Sequence, residues 1–121
     1  MKNGVILSDD DILKIGTDLL IQLDEKKALN PVFMDLRRVS DYFDFFLIAT
    51  GNSKTHSAAL AKDMIKFLSG KGLKGFNKPD LNSEWIALDF GSLIVHIFTE
   101  EMRAYYQLEK LWGDAKKMNI N

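Results

Sequence analysis

Residues 84–112 read EWIALDFGSLIVHIFTEEMRAYYQLEKLW. Two apolar runs, Trp85 to Phe90 and Leu93 to Phe98, flank the pair Gly91-Ser92. A glycine between strand-like runs supplies the positive φ of a two-residue primed turn, so this stretch predicts a β-hairpin. In that register Phe90 faces Leu93, Leu88 faces Val95 and Ile86 faces Ile97, which makes one sheet face wholly apolar. The other face pairs Asp89 with Ile94, Ala87 with His96 and Trp85 with Phe98, and an Asp89–His96 hydrogen bond is expected there. Thr99 reads as a helix N-cap, with Glu100 and Glu101 set against the positive end of the helix. Met102, Tyr105, Leu108 and Trp112 recur at helical spacing, and Gly113 marks the stop. The reading is a hairpin that feeds a docking helix.

Upstream, Ser8 with Asp9, Asp10 and Asp11 makes a helix start, followed by an apolar stripe of Ile12, Ile15, Leu19, Leu20 and Leu23. Asn30-Pro31 is expected to stop that helix, and Val32 to Arg37 alternates like a strand with Val32, Met34 and Leu36 inward. Asp44 to Thr50 is apolar on both alternations and predicts a central strand covered on both faces. Asn52 or Ser53 caps a second helix with Leu60, Met64, Phe67 and Leu68 buried. Ser69 to Ser83 is the longest loop. The order α-β-β-α-β-β-α predicts an α/β sandwich with a mixed sheet flanked by helices, a single domain over 1–121 with its core at about 9–112. Residues 114–121 read as a loosely held tail.

The chain has 121 residues, 46% of them hydrophobic, and no cysteine. Disulfides, cysteine-type zinc sites and thiol nucleophiles are therefore excluded. The N-terminal apolar run is too short for a signal peptide, and no stretch reaches the length of a membrane span, so a soluble cytoplasmic protein is expected. The net charge of −1 conceals an asymmetry. Residues 53–78 hold six lysines and one acid, which leaves 10 bases and 16 acids elsewhere. Those lysines read as a solvated helix face and loop, or as a basic margin near nucleic-acid backbone.

The motifs W-I-x-L-D-F-G and V-H-I-F-x-E-E-x-R-x-Y-Y-x-L-E-K-L-W resemble the ribosomal silencing factor, or Iojap, family. Upstream, Ser40 to Phe43 (SDYF) and Ala49 to His56 (ATGNSKTH) match it in the same order, so the resemblance covers about residues 9–112. It implies a mixed sheet of nucleotidyltransferase-like topology without the catalytic acids. It also implies a translation repressor without enzymatic activity or cofactor. Such a protein binds ribosomal protein fourteen of the large subunit and blocks joining of the small subunit by steric occlusion. The implied partner surface includes the tryptophan of W-x-x-x-D and the apolar residue after its aspartate, hence Trp85, Asp89 and Phe90. Phe90 faces the core side in the hairpin register and is expected to project past the sheet edge at the tip. Glu100 and Glu101 are candidate acidic contacts, and Lys71, Lys74 and Lys78 are candidates to lie toward ribosomal RNA. Two segments depart from the family pattern. Gly75 to Ser83 lacks the usual Glu-Gly, and Gly91-Ser92-Leu93 stands where Gly-Asp-Val is usual.

The residues themselves supply little chemistry. Thr50 to Lys54 is a strand-to-helix turn able to hold an anion, but it lacks P-loop or dinucleotide spacing, and a polar cap is the commoner explanation. Gly51-x-Ser53 is weakly similar to a nucleotidyltransferase site, yet that chemistry needs paired carboxylates on a strand, and the next acid, Asp63, lies inside a helix. Two histidines are too few for a histidine-rich metal site, so no catalytic or metal residue is assigned. A nucleotide-binding or transferase-like enzyme remains the alternative of one class. A self-associating module, which includes a homodimer formed through the aromatic hairpin face, is the alternative of another.

Overall fold

Ser8 opens the first helix. The computed structural model describes residues 7–119, so the N-terminal run read for a signal peptide lies mostly outside the described residues. The Ser8 hydroxyl accepts from the Asp11 amide at 3.2 Å, and the Asp11 carboxylate accepts from the Ser8 amide at 3.0 Å. This reciprocal box fixes the start of α1, Asp9–Glu25. Ile12, Ile15, Leu19, Leu20 and Leu23 form its buried stripe, as their spacing predicts. The helix ends before Asn30-Pro31: the Ala28 amide returns to the Leu23 carbonyl, and Lys27 takes a left-handed φ of 65°.

Strand β1 is Leu29–Asp35 and so includes the dipeptide expected to lie outside it. A register shift between Leu29 and Val32 tolerates Asn30 (φ 47°) and a proline without an amide hydrogen. Both faces of β1 are covered, with Phe33 on one side and Val32 and Met34 on the other. Strand β2, Phe45–Gly51, is buried at every position. Its uninterrupted apolar run follows from its place between two neighbours and beneath two layers. Ser53 caps α2, Lys54–Gly70, by accepting from the His56 amide.

Strands β3 (Trp85–Asp89) and β4 (Leu93–Thr99) form the hairpin in the register read from sequence, from Trp85 opposite Phe98 to Asp89 opposite Ile94. Gly91 has a φ of 84°, the conformation that the turn demands. The five-stranded sheet has the order β3-β4-β2-β1-β5, with β2 and β4 parallel and the other pairs antiparallel. Helices α1 and α2 pack on one face and the remaining short helices on the other.

Two expectations are corrected. The C-terminal helix is split into α3 (Glu100–Tyr106) and α4 (Leu108–Leu111) by Gln107, whose φ is 47°. The tail read as loosely held contains β5, Lys116–Asn119, which pairs antiparallel with β1 from Val32–Asn119 to Asp35–Lys116. An unpaired edge of β1 offers a row of amides and carbonyls, and the tail satisfies them without needing an apolar pattern of its own.

Candidate partner-binding surface

Strand β3 lies at the sheet edge, so Trp85, Ala87 and Asp89 project from the border of the face that α3 and α4 cover. Trp85 is half-buried. Its ring packs against Tyr106 (centroids 4.7 Å apart) and Phe98 (5.1 Å), and its indole N–H donates to His96 Nδ1 at 3.0 Å. Further rings extend the bed, with His96 edge-on to Phe46 at 4.6 Å and Phe46 beside Phe43 at 5.1 Å. Aromatic side chains thus run from Tyr105, which is 76% exposed, through Tyr106 and Trp85 into the core.

His96 is 6% exposed, and burial alone pushes its imidazole down to about 4. The ring is neutral at neutral pH. Since Nδ1 accepts from Trp85, the proton of the neutral ring is assigned to Nε2. That nitrogen is buried and has no hydrogen-bond partner among the described residues.

The expected Asp89–His96 hydrogen bond does not form. Asp89 Oδ1 instead accepts from the Gly91 amide at 2.8 Å and closes the hairpin turn. Trp85 and Asp89 share a face but stand four residues apart, roughly 13 Å along the strand. Phe90 is 3% exposed and belongs to the core beneath α1 and α2, which corrects the expectation that it projects past the edge. Its backbone pairs with Leu93 (amide to carbonyl, 2.8 Å), and this holds the ring on the apolar side.

Glu100 and Glu101 are exposed in the first turn of α3. The Thr99 amide donates to the Glu84 carbonyl at 3.0 Å, which puts the exposed Glu84 beside this turn. The Trp85 end of the hairpin is therefore acidic. Lys71, Lys74 and Lys78 are exposed in the long loop, and Lys71 Nζ lies 5.4 Å above the Phe67 ring. The same loop closes the outer edge of β3. Asn77 donates to the Ala87 carbonyl at 2.8 Å and accepts from the Asp89 amide at 3.0 Å, while the Phe76 amide donates to the Asp89 carbonyl. Ser83 Oγ serves both backbone groups of Trp85. A side-chain amide here takes the place of a neighbouring strand.

The turn before α2 is occupied by its own side chains. The Asn52 amide donates to His56 Nδ1 at 3.0 Å, and Ser53 Oγ accepts from the His56 amide. Among the described residues no three histidine, aspartate or glutamate side chains gather as a metal ion would require. Tyr105, which its helical spacing puts on the docking stripe, is exposed to a large extent, and so is its neighbour Tyr106. Their adjacency was the available signal, since neighbouring positions on a helix cannot both face one core.

Comparison with known proteins places this geometry in a family. The family profile described as "Ribosomal silencing factor during starvation" matches residues 10–121. A relative named ribosomal silencing factor, from Halalkalibacterium halodurans, is 34% identical over 119 residues, covering 94% of this chain and 96% of that protein. A mouse relative named mitochondrial assembly of ribosomal large subunit protein 1 is 31% identical over 106 residues, covering 82% of this chain and 46% of that one. A crystal structure of a Chromobacterium violaceum protein superposes with a TM-score of 0.75 at 26% identity, covering 88% of each chain.

Proposed function

Because this chain belongs to the ribosomal silencing factor family, we propose that it represses translation by docking on the large ribosomal subunit. The partner there is ribosomal protein fourteen, and the bound protein sterically blocks joining of the small subunit. It acts in the cytoplasm, where bacterial ribosomes assemble. The observation that carries this reading is the presentation of Trp85, a half-buried indole on an aromatic bed at the acidic end of the hairpin. A tryptophan so held offers large contact area at low entropic cost, and acids around it favour a basic protein such as a ribosomal one. The name of the mouse relative, which concerns the large subunit, supports the choice of subunit.

The contacts proposed are Trp85 at the centre, Glu100 and Glu101 at the acidic end, and Asp89 at the turn. Phe90 supports the hairpin from beneath, because its burial leaves little surface to offer. Lys71, Lys74 and Lys78 lie toward ribosomal RNA. Steric occlusion needs no catalytic group, so the function requires no enzymatic step.

Co-sedimentation with isolated large subunits tests the proposal, with wild type beside Trp85→Ala and small subunits added afterwards. Stoichiometric binding that prevents joining, lost in a still-folded variant, is the expected result. Wild-type protein remaining in the supernatant at micromolar concentration would sink it. Replacing the three loop lysines by alanine should reduce both affinity and its salt dependence, whereas an unchanged salt slope would remove the RNA contact.

A further inference from the structure

The acceptor that meets the indole of Trp85 lies inside the protein, which restricts what a partner can offer it. Tryptophan has a single hydrogen-bond donor, its indole N–H. Here that donor is directed at His96 Nδ1, 3.0 Å away on the neighbouring strand and directly behind the surface. The strand register puts His96 opposite Ala87, the residue two positions along β3 from Trp85, so the bond crosses the hairpin diagonally. Phe98 and Tyr106 then limit the tilt of the ring, at 32° and 50° to its plane. An unbonded tryptophan on an edge strand would explore several rotamers, whereas this one is held by one hydrogen bond and two rings.

We infer that His96 is the positioning residue of the docking surface. It fixes the Trp85 rotamer and withdraws the indole donor, so the partner group that meets Trp85 is an aliphatic chain or a guanidinium lying on the ring face, not a hydrogen-bond acceptor. This inference rests on the docking reading above and adds to it the chemistry of the contact. Exposed Glu84, Glu100 and Glu101 at this end of the hairpin favour the cationic form of that contact, because their negative charge draws a guanidinium toward the indole. No charged side chain among the described residues hydrogen-bonds to His96, so the bond depends on the neutral ring alone.

The arrangement separates two roles that substitution can distinguish. His96→Phe retains a ring in the same space but has no acceptor. His96→Asn carries an amide oxygen near the position of Nδ1 and restores the acceptor within a smaller side chain. Each is examined as the full chain, with thermal unfolding to confirm the native state and Trp112→Phe as the common background, so that Trp85 is the sole indole. The first readout is the proton resonance of the indole N–H and its exchange with solvent. The second is the dissociation constant for isolated large subunits.

The wild-type indole proton should exchange slowly, His96→Phe should release it, and binding should weaken by roughly tenfold. His96→Asn should recover protection and most of the affinity. Rapid exchange in the folded wild type would overturn the inference at its hydrogen bond. Wild-type affinity in His96→Phe, with the proton released, would overturn the positioning role while leaving docking intact. If the wild-type chain does not bind large subunits, the docking reading falls and takes this inference with it.

Discussion

Arg103 and Glu109 are joined by two parallel hydrogen bonds, Nε to Oε1 at 3.1 Å and Nη2 to Oε2 at 2.9 Å, across the helix break at Gln107. The remaining Nη1 donates to the Leu29 carbonyl at 3.2 Å and to the Thr50 hydroxyl at 3.0 Å. One guanidinium therefore ties α3 and α4 to each other and to strands β1 and β2. The planar fork of arginine suits this task, and its side chain is only 13% exposed. Since α3 also carries Tyr106 against Trp85, the same tie supports the docking surface.

Arg103→Lys should lower stability by about 2 kcal/mol, because an ammonium cannot make the paired bonds and leaves the Thr50 hydroxyl without its donor. Urea denaturation measures the change directly. A midpoint equal to that of wild type would show that the fork contributes nothing to the fold.

The buried imidazole gives stability a predictable pH dependence. His96 has an ordinary value of 6.5 and is held near 4 in the native state, so the unfolded chain binds the proton first. Its contribution is complete above about pH 6.5 and is lost as pH falls toward 4, at a limiting slope of about 1.4 kcal/mol per pH unit. The full loss is about 3 kcal/mol. Asp11 and Asp35, whose carboxyls are held below the usual 3.8 by hydrogen bonds from Ser8 and Arg37, add their own loss at lower pH. Denaturation series between pH 7 and 4.5 should show the slope in wild type and its absence in His96→Phe. A slope that survives the substitution would assign it elsewhere.

The ends of α1 and α2 use the same closing motif with different residues. After α2, Gly72 takes a φ of 89° while the Leu73 amide returns to the Leu68 carbonyl. After α1, Lys27 occupies the equivalent place at 65°, and the Ala28 amide returns to the Leu23 carbonyl. A side chain in the left-handed region costs about 1 kcal/mol relative to glycine. Lys27→Gly should therefore raise stability by about that amount, read as a higher melting temperature. Gly72→Ala should lower it by a similar amount, and equal responses of the same sign would contradict the argument.

Asn77 guards the β3 edge. Asn77→Ala removes the partners of the Ala87 carbonyl and the Asp89 amide and leaves a short open edge. Self-association should increase in light scattering over a concentration series, with a stability loss of about 1 kcal/mol. A variant as monodisperse as wild type would show that the rest of the loop protects the edge unaided.

Several elements were legible because their chemistry is local. The strict alternation of Ile86, Leu88, Val95 and Ile97 about Gly91 set the hairpin register, and the structure reproduces each pair. Ser8 and Asp11 announced α1 through their own side chains, and the unbroken apolar run of β2 announced a strand covered on both sides. Trp85 could be placed on the mixed face of the hairpin from period alone.

Only the tertiary structure decided which neighbour that tryptophan would use. Asp89 and His96 share its face, but packing gave its hydrogen bond to the buried imidazole and committed the carboxylate to the Gly91 amide. The same holds for β5, whose sequence KKMN has no apolar period and becomes a strand because β1 has an edge to fill. The break at Gln107 escaped a helical spacing that continues through it, since the long-range bonds of Arg103 make the turn worth its strained φ. Local patterns fix what a segment can be. Which of its groups remain at the surface depends on partners tens of residues away, and their competition is settled only when the sheet closes.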